Sequence, residues 1–435
     1  MEKPLRLGVA GLGVVGTSLI QLLQRRRAEF VARAGRECLF AAYSARHRRE
    51  RSVDLGGAAF FGNAAEMAAS ADIDVFVELI GGADGIAFEA VKAALARGLP
   101  VVTANKAMLA AHGLMLASLS ESHKAPLYYE AAVGGGIPIV KTLRESLAGN
   151  AIQRVAGILN GTCNYILSRM ETESLPFEVC LTDAQRLGYA EADPTFDVGG
   201  FDTAHKLAIL ASLAFGSKID AAAVSVEGIE SITLADLAAA DELGFRIKLL
   251  GVAERTVHGV EQRVHPTMVA KSAPLAQTMG VLNAVSINGD AVGELTLVGP
   301  GAGGDATASS VAADIGDIAR GTRPEAFGRP AATLVDADRV PMQRHEGGYY
   351  VRLAVADRPG AMGAIAARFG ERMISLEAIM QKRVAKETAA SGVVPVVLMT
   401  HGTTEASIRE ALAHAVEDGV VREKPQVIRI EREAL

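Results

Sequence analysis

Residues 5–16 read LRLGVAGLGVVG and run directly into TSLIQLLQRR at 17–26. A short apolar run, a glycine-rich turn and an amphipathic segment in that order predict a strand at 5–10, a tight turn and a helix. Glycines are needed in such a turn so that the chain reverses sharply and the backbone approaches a pyrophosphate at the helix N-terminus. Gly11, Leu12, Gly13, Val14, Val15 and Gly16 are therefore candidate cofactor-binding residues. A glycine turn without a ligand is the competing reading. Its place after a strand and before a helix favours dinucleotide binding.

The alternation continues to about residue 130. Apolar runs at 39–44, 73–79 and 99–103 are separated by helical patterns such as GIAFEAVKAALARG. This is the signature of β-α units on a parallel sheet. The second strand leads into Ser44, Ala45, Arg46 and His47, then Arg48 and Arg49, with no acid at its end to take a ribose hydroxyl. Arg46 suits a 2′-phosphate instead, so NADP is expected over NAD. TANKAML places Asn105 and Lys106 just past a strand's carboxyl end, where open α/β sheets bind ligands.

Beyond residue 140 the pattern becomes mixed α+β with its own sheet, and SINGDAV reads as a hairpin turning at Asn-Gly-Asp. A helical pattern near 305–320 is expected to pack back on the first domain. Residues 321–347 contain Pro324, Pro330 and Pro341 with little periodicity and read as a linker. The last segment follows the order strand, helix, strand, strand, helix, strand, the split β-α-β pattern.

The 435 residues carry a net charge of −6 and no basic helix face, which argues against nucleic acid as a partner. No apolar run reaches the ~18 residues of a membrane span, and no secretory signal is read at the N-terminus. The scattered Cys38, Cys163 and Cys180 fit a reducing compartment, so a cytoplasmic protein is expected.

The densest chemistry lies in EADPTFDVGGFDTAHK, residues 191–206, ahead of an apolar run. The spacing fits neither an EF-hand nor zinc, for which only His205 is present. A solvated loop explains the first half. In the second half, a helix starting near Asp202 puts Asp202, Lys206, Leu210 and Leu213 on one stripe of a helix that is apolar nearly all round. An i,i+4 pair is worth only about 0.2–0.5 kcal/mol. Burying an ammonium costs several kcal/mol. Lys206 is thus a candidate proton donor, with Asp202 beside it. EAAVGGGIP offers exposed carbonyls and the Glu130 carboxylate, either as an oxygen cage for a hard cation or as a plain turn.

GLGVVG, TANKAML, EAAVGGGIPIV, GILNGTCNYIL, LGYAEADPTFDVGGFDTAHKLAIL and GPGAGGDATAS together resemble the homoserine dehydrogenases nearly end to end. The tail LAVADRPGAMGAIAARFGERMISLEAI resembles an ACT domain, a small amino-acid-sensing module. The resemblance implies the monofunctional form. It implies an α/β fold of three parts: a Rossmann domain over 1–135 completed by the helix at 305–320, a substrate-binding and dimerisation domain over 136–304, and, after the 321–347 linker, a ferredoxin-like ACT domain over 348–435.

It further implies reversible reduction of L-aspartate 4-semialdehyde to L-homoserine with NADP or NAD, on the route to threonine and methionine. Lys206, Asp202 and Lys106 would be catalytic, and Glu191 and Asp197 would bind substrate. Thr103, Lys106, Gly188 and Gly303 would line the cofactor. Glu130 with the carbonyls of Val133, Gly135 and Ile137 would hold a monovalent cation, usually sodium. A homodimer or homotetramer regulated by threonine is expected. GGDATAS is looser than the family's usual Pro-Thr-Ala-Ser form, which leaves the turn there open. The rival readings are a reductase of another amino-acid carbonyl and a catalytically silent sensor, which would have no use for Glu191, Asp202 and Lys206.

Overall fold

The computed structural model describes residues 3–47, 53–381 and 392–431, so Arg48 and Arg49 lie outside the described residues. Six parallel strands form the first sheet: β1 (Leu5–Ala10), β2 (Cys38–Ser44), β3 (Ala59–Phe61), β4 (Val75–Glu78), β5 (Val101–Thr103) and β6 (Leu127–Tyr128). Their order is β3-β2-β1-β4-β5-β6, the doubly wound arrangement in which ligands sit at the carboxyl edge where strand order reverses. β1, β4 and β5 are almost wholly buried, as strands covered on both faces must be. The helix Gly304–Ala319 returns to this sheet. Its Ala308, Val311, Ala312 and Ile315 share one core with Leu19, Ile20 and Leu23 of the first helix, Val14–Arg25.

The second sheet is built from β7 (Ile152–Ile158), β8 (Ser225–Val226), β9 (Phe245–Thr256), β10 (Gly259–Ala270), β11 (Leu282–Gly289) and β12 (Gly293–Pro300). Helices Gly161–Glu173 and Phe201–Phe215 pack against it. Phe201–Phe215 is buried over almost its whole length, which explains a sequence that is apolar nearly all round.

The C-terminal strands are β13 (Glu346–Ala356), β14 (Leu376–Gln381), β15 (Val393–Thr400), β16 (Thr403–Thr404) and β17 (Gln426–Glu431). Apart from the short β16, they lie in the antiparallel order β17-β13-β15-β14, with helices Ala361–Glu371 and Glu405–Glu417 sharing their core.

Three expectations are corrected. The central region does not have a sheet of its own. Parallel pairs Thr267↔Arg429, Met268↔Ile430 and Val269↔Glu431 join β10 to β17 and make one sheet of 11 strands. An uncovered edge strand leaves unpaired N–H and C=O groups, and β17 satisfies those of β10.

The hairpin turns at residues 290–292, not at Asn-Gly-Asp. Asn288 and Gly289 still pair with Glu294 and Gly293. The residue with positive φ is Gly293 (+72°), while Asp290 and Val292 are tethered to Ala151 and Asn150.

Residues 321–347 also do more than link. Tyr128 and Tyr129 donate their hydroxyls to the carbonyls of Thr322 and Ala326 at 2.5 and 2.6 Å, and Phe327 is buried. Ser217 bridges to Val335 and Val260 to Arg339, so the segment is a strap bound along the central domain.

Candidate active site

The glycine turn follows β1 as expected. Gly11 has φ +97°, and a Cβ there would collide with the carbonyl of Leu79 at the end of β4. A side chain on Gly16 would strike the carbonyl of Gly11. The turn can therefore stay tight against the neighbouring strand. A cleft of about 470 Å³ opens beside it, lined by Gly11, Leu12, Gly13, Ser44, Arg46 and Ile80 among others.

Arg46 and His47 are exposed at the end of β2. Gly304 packs on Val14 and Ser18, which brings Gly303 to the start of the first helix. GGDATAS thus forms the first turn of a regular helix, with Asp305 facing Arg25 at 3.5 Å. Gly188 does not join the cleft lining. It follows the helix Phe177–Arg186 and donates its N–H to Gln185. Thr103 is buried and points inward, donating to Glu78 at 2.5 Å. Glu78 also accepts the N–H groups of Ile80 and Gly81, which shapes the loop after β4.

Past β5, Asn105 caps the helix Lys106–Ser122 by accepting from Met108, and Lys106 is the first helical residue. From there its ammonium reaches Asp202 Oδ1 at 3.0 Å. Asp202 Oδ2 accepts from Lys206 Nζ at 2.7 Å and from Asn160 Nδ2 at 2.9 Å. Lys206 also donates to the carbonyl of Leu159 at 2.6 Å. One carboxylate is thus held between two lysines from different domains. Asp197 joins through Asn160 Nδ2 at 2.8 Å.

Burial pulls the Lys206 pKa below the ordinary lysine value, and Lys106 adds to this while Asp202 opposes it. For Asp202, burial alone would raise the pKa. The two ammonium groups and the bonds from Lys206 and Asn160 outweigh burial and hold it below the usual carboxylate range. Burial pushes Asp197 up, helped by the charge on Asp202. The site therefore pairs a fixed anion with an ammonium that gives up its proton more readily than a surface lysine.

Glu191 is exposed in the loop leading to this cluster. Thr162 Oγ1 donates to the carbonyl of Tyr189 at 2.7 Å, and Gln185 donates to the carbonyl of Glu191 at 3.1 Å. The first bond ties the loop to the start of the Gly161–Glu173 helix, the second to the end of the Phe177–Arg186 helix. Asp193 accepts from the Thr195 N–H and forms the turn around Pro194.

Asn160, to which the sequence alone assigns no role, organises both aspartates. The signal was present: an Asn ahead of Gly-Thr-Cys at the end of a strand is a helix cap, and its Oδ1 accepts from Cys163 at 2.8 Å.

The region around Glu130 is distinct. Both carboxylate oxygens accept backbone N–H groups, from Val140 and Lys141 at 2.8 Å each. The carbonyl of Gly135 accepts from Ser310, and that of Ile137 from the N–H of Ile139. Burial first, and then buried Asp314, raise the Glu130 pKa to about 7. Among the described residues no cluster of His, Cys, Asp and Glu has the makings of a metal centre, and no helix is long and apolar enough to cross a membrane.

Two family models match the chain: homoserine dehydrogenase over residues 138–315, and the homoserine dehydrogenase NAD-binding domain over residues 11–130. A homoserine dehydrogenase of Pseudomonas aeruginosa is 44% identical over 94% of this chain and 95% of its own length. The chain belongs to the homoserine dehydrogenase family. It is an oxidoreductase acting on a CH–OH group, with an NAD-binding domain.

The crystal structure of a homoserine dehydrogenase from Thiobacillus denitrificans superposes with a TM-score of 0.91 at 40% identity, covering 99% of this chain and 98% of that one. A hyperthermophilic archaeal homoserine dehydrogenase in complex with NADPH gives a TM-score of 0.62 at 26% identity, over 72% of this chain and 97% of that one. The two-lysine cluster lies between the parts matched by the two family models. Lys106 falls in the NAD-binding match, and Asp202 with Lys206 in the other.

Proposed function

We propose that this enzyme interconverts L-aspartate 4-semialdehyde and L-homoserine in threonine and methionine synthesis, in the cytoplasm, with NADP preferred over NAD. The observation that carries the reading is the Lys106–Asp202–Lys206 arrangement, whose Lys106 stands just past β5 at the carboxyl edge of the sheet that carries the glycine turn. When bound, the nicotinamide cofactor supplies the hydride for reduction and accepts it for oxidation.

The chain's own residues handle the proton. Lys206, held by Leu159 and Asp202, donates from Nζ to the oxygen of the aldehyde as its negative charge develops, and takes the proton back in the reverse direction. Asp202 stays ionised and holds both ammonium groups in place. Lys106, with its side chain 35% exposed, can turn one N–H toward the same oxygen and stabilise its charge. Glu191 binds the substrate ammonium, and Asp197 assists. Thr103 shapes the cofactor loop through Glu78, Gly303 stands at the start of the first helix, and Arg46 meets the 2′-phosphate, while Gly188 lies outside the cleft lining.

Oxygen ligands suit a hard cation, and the 130–137 loop offers oxygens alone. Glu130 with the carbonyls of Val133, Gly135 and Ile137 would hold a monovalent cation such as sodium, offsetting the buried Glu130 and Asp314 charges. The C-terminal strands and helices are read as an ACT module over 348–435 that senses threonine at the turn 357–363, after a Rossmann domain over 1–135 closed by the returning helix and a dimerising central domain over 136–304. A homodimer or homotetramer is the expected assembly. Following NADPH and NADH oxidation with aspartate semialdehyde against other small aldehydes tests the reading. Equal turnover of unrelated aldehydes would contradict it.

A further inference from the structure

Where β10 meets β17, a cavity of about 320 Å³ lies between the central sheet and the C-terminal strands. Its walls come from both sides: Arg263 and His265 on β10, Glu254 on β9, and Gly348 and Glu431 at the C-terminal end. It is distinct from the cluster around Lys206 and from the turn at 357–363, neither of which contributes to its lining.

Two residues of the wall each carry a buried polar atom without a hydrogen-bond partner: Arg263 at Nε and His265 at Nε2. These residues are only 3% and 2% exposed. Leaving such a group unsatisfied costs about 1–3 kcal/mol, so each calls for an explanation. Their chemistry is complementary. Arg263 Nε is an N–H donor, and its other nitrogens are turned to Glu261 at 2.5 Å and Glu254 at 3.7 Å. His265 Nδ1 faces the carbonyl of Pro266 at 3.1 Å, and the Thr267 hydroxyl beside it has the His265 carbonyl as an acceptor. The ring proton therefore sits on Nδ1, and Nε2 is left as an acceptor.

A free donor and a free acceptor thus stand two residues apart on one face of a strand. The rest of the lining carries Glu254, which is only loosely held by Arg154 at 3.8 Å and Arg263 at 3.7 Å. A simple anion would find Arg263 but meet the surrounding glutamates. A simple cation would meet the arginine.

We propose that this seam cavity is a regulatory binding site for a small zwitterion of the amino-acid class. Its carboxylate takes the Arg263 Nε–H, and its ammonium takes His265 Nε2 and Glu254. The route to the active site is short. Val264, between the two ligand-facing residues, points to the other side of β10. There it lies against Gly200, so closely that a Cβ on Gly200 would be 3.0 Å from its Cγ1. Gly200 is the N-cap of the helix that carries Asp202 and Lys206. The regulatory role rests on the effector reading above, while the ligand chemistry rests on the cavity alone.

The test is calorimetric titration of the full chain with L-threonine, L-methionine, L-lysine and glycine, with acetate and methylammonium as half-ligand controls, alongside rates measured with each. At least one amino acid should bind once per chain, more tightly than either control, and change the rate. Arg263→Lys keeps the charge but removes Nε, and Asn288→Phe fills the cavity from its rim. Each should weaken binding roughly tenfold or more while leaving the rate without amino acid within about twofold. Binding that survives both variants but is lost in Arg358→Ala would overturn the seam site and leave the effector at the 357–363 turn. Binding that changes no rate would overturn the regulatory role, and no binding by any amino acid would overturn both readings.

Discussion

Two buried charge clusters in this molecule pair cations with carboxylates to opposite ends. At the seam, Arg429 is clamped by Glu405 at 2.8 and 2.9 Å and by Glu227 at 2.8 and 3.0 Å. Although burial opposes it, those carboxylates raise its pKa further, so it never loses its proton. In the active site one carboxylate serves two lysines, and burial lowers the pKa of Lys206. An excess of acceptors around a cation makes a lock. A shortage of them, in a buried place, makes an acid that can act. The difference lies in stoichiometry and partner type, not in burial, since Arg429 is 3% exposed and Lys206 8%.

The strongest way to break this comparison is to remove each cation. Lys206→Ala should lower turnover by about 10²–10⁴-fold while cofactor affinity and melting temperature stay near normal. Arg429→Met should do the reverse. It leaves buried Glu405 held only by the half-exposed Arg409, so unfolding free energy should fall by about 3 kcal/mol, with the activity of the folded fraction retained. Turnover near normal in the first variant, or an unchanged denaturation midpoint in the second, would erase the distinction.

Asn160→Ala sharpens it. The loss of two amide hydrogen bonds to carboxylates should reduce turnover roughly 10–100-fold, with a smaller effect on the Michaelis constant for cofactor. The smallest effect is expected at the cleft. Arg46→Glu should raise the Michaelis constant for NADP several-fold and leave that for NAD nearly unchanged, because an exposed charge is screened by solvent. Equal changes for both cofactors would remove Arg46 from the phosphate site.

The parts legible in the sequence were those with local causes. The glycine turn, the strands of the parallel sheet and the start of the Phe201–Phe215 helix are written in short-range periodicity, and their observed limits fall within a few residues of the expected ones. Asp202 and Lys206 share a stripe because four residues make about one helical turn. The union of β10 with β17 was not legible, since neither strand says which edge it will meet across some 160 residues of chain. The hairpin was misplaced because two glycines, Gly289 and Gly293, compete for the left-handed position and tethers from Asn150 and Asp290 decide between them. Asn160 was legible as a cap but not as the bridge between Asp197 and Asp202, a role that exists only once two helices have packed together.

The central claim is that Lys206 acts as an acid tuned by burial and by Asp202. The pH dependence of kcat/KM for aldehyde reduction tests it most directly. Because the protonated lysine is the active form, activity should hold at low pH and fall as pH rises through its pKa. That alkaline limb should lie below the ordinary lysine value of 10.5, and Asp202→Asn should move it lower still, since the carboxylate raises the Lys206 pKa. An alkaline limb that stays in place in Asp202→Asn, or that persists in Lys206→Ala, would contradict the account.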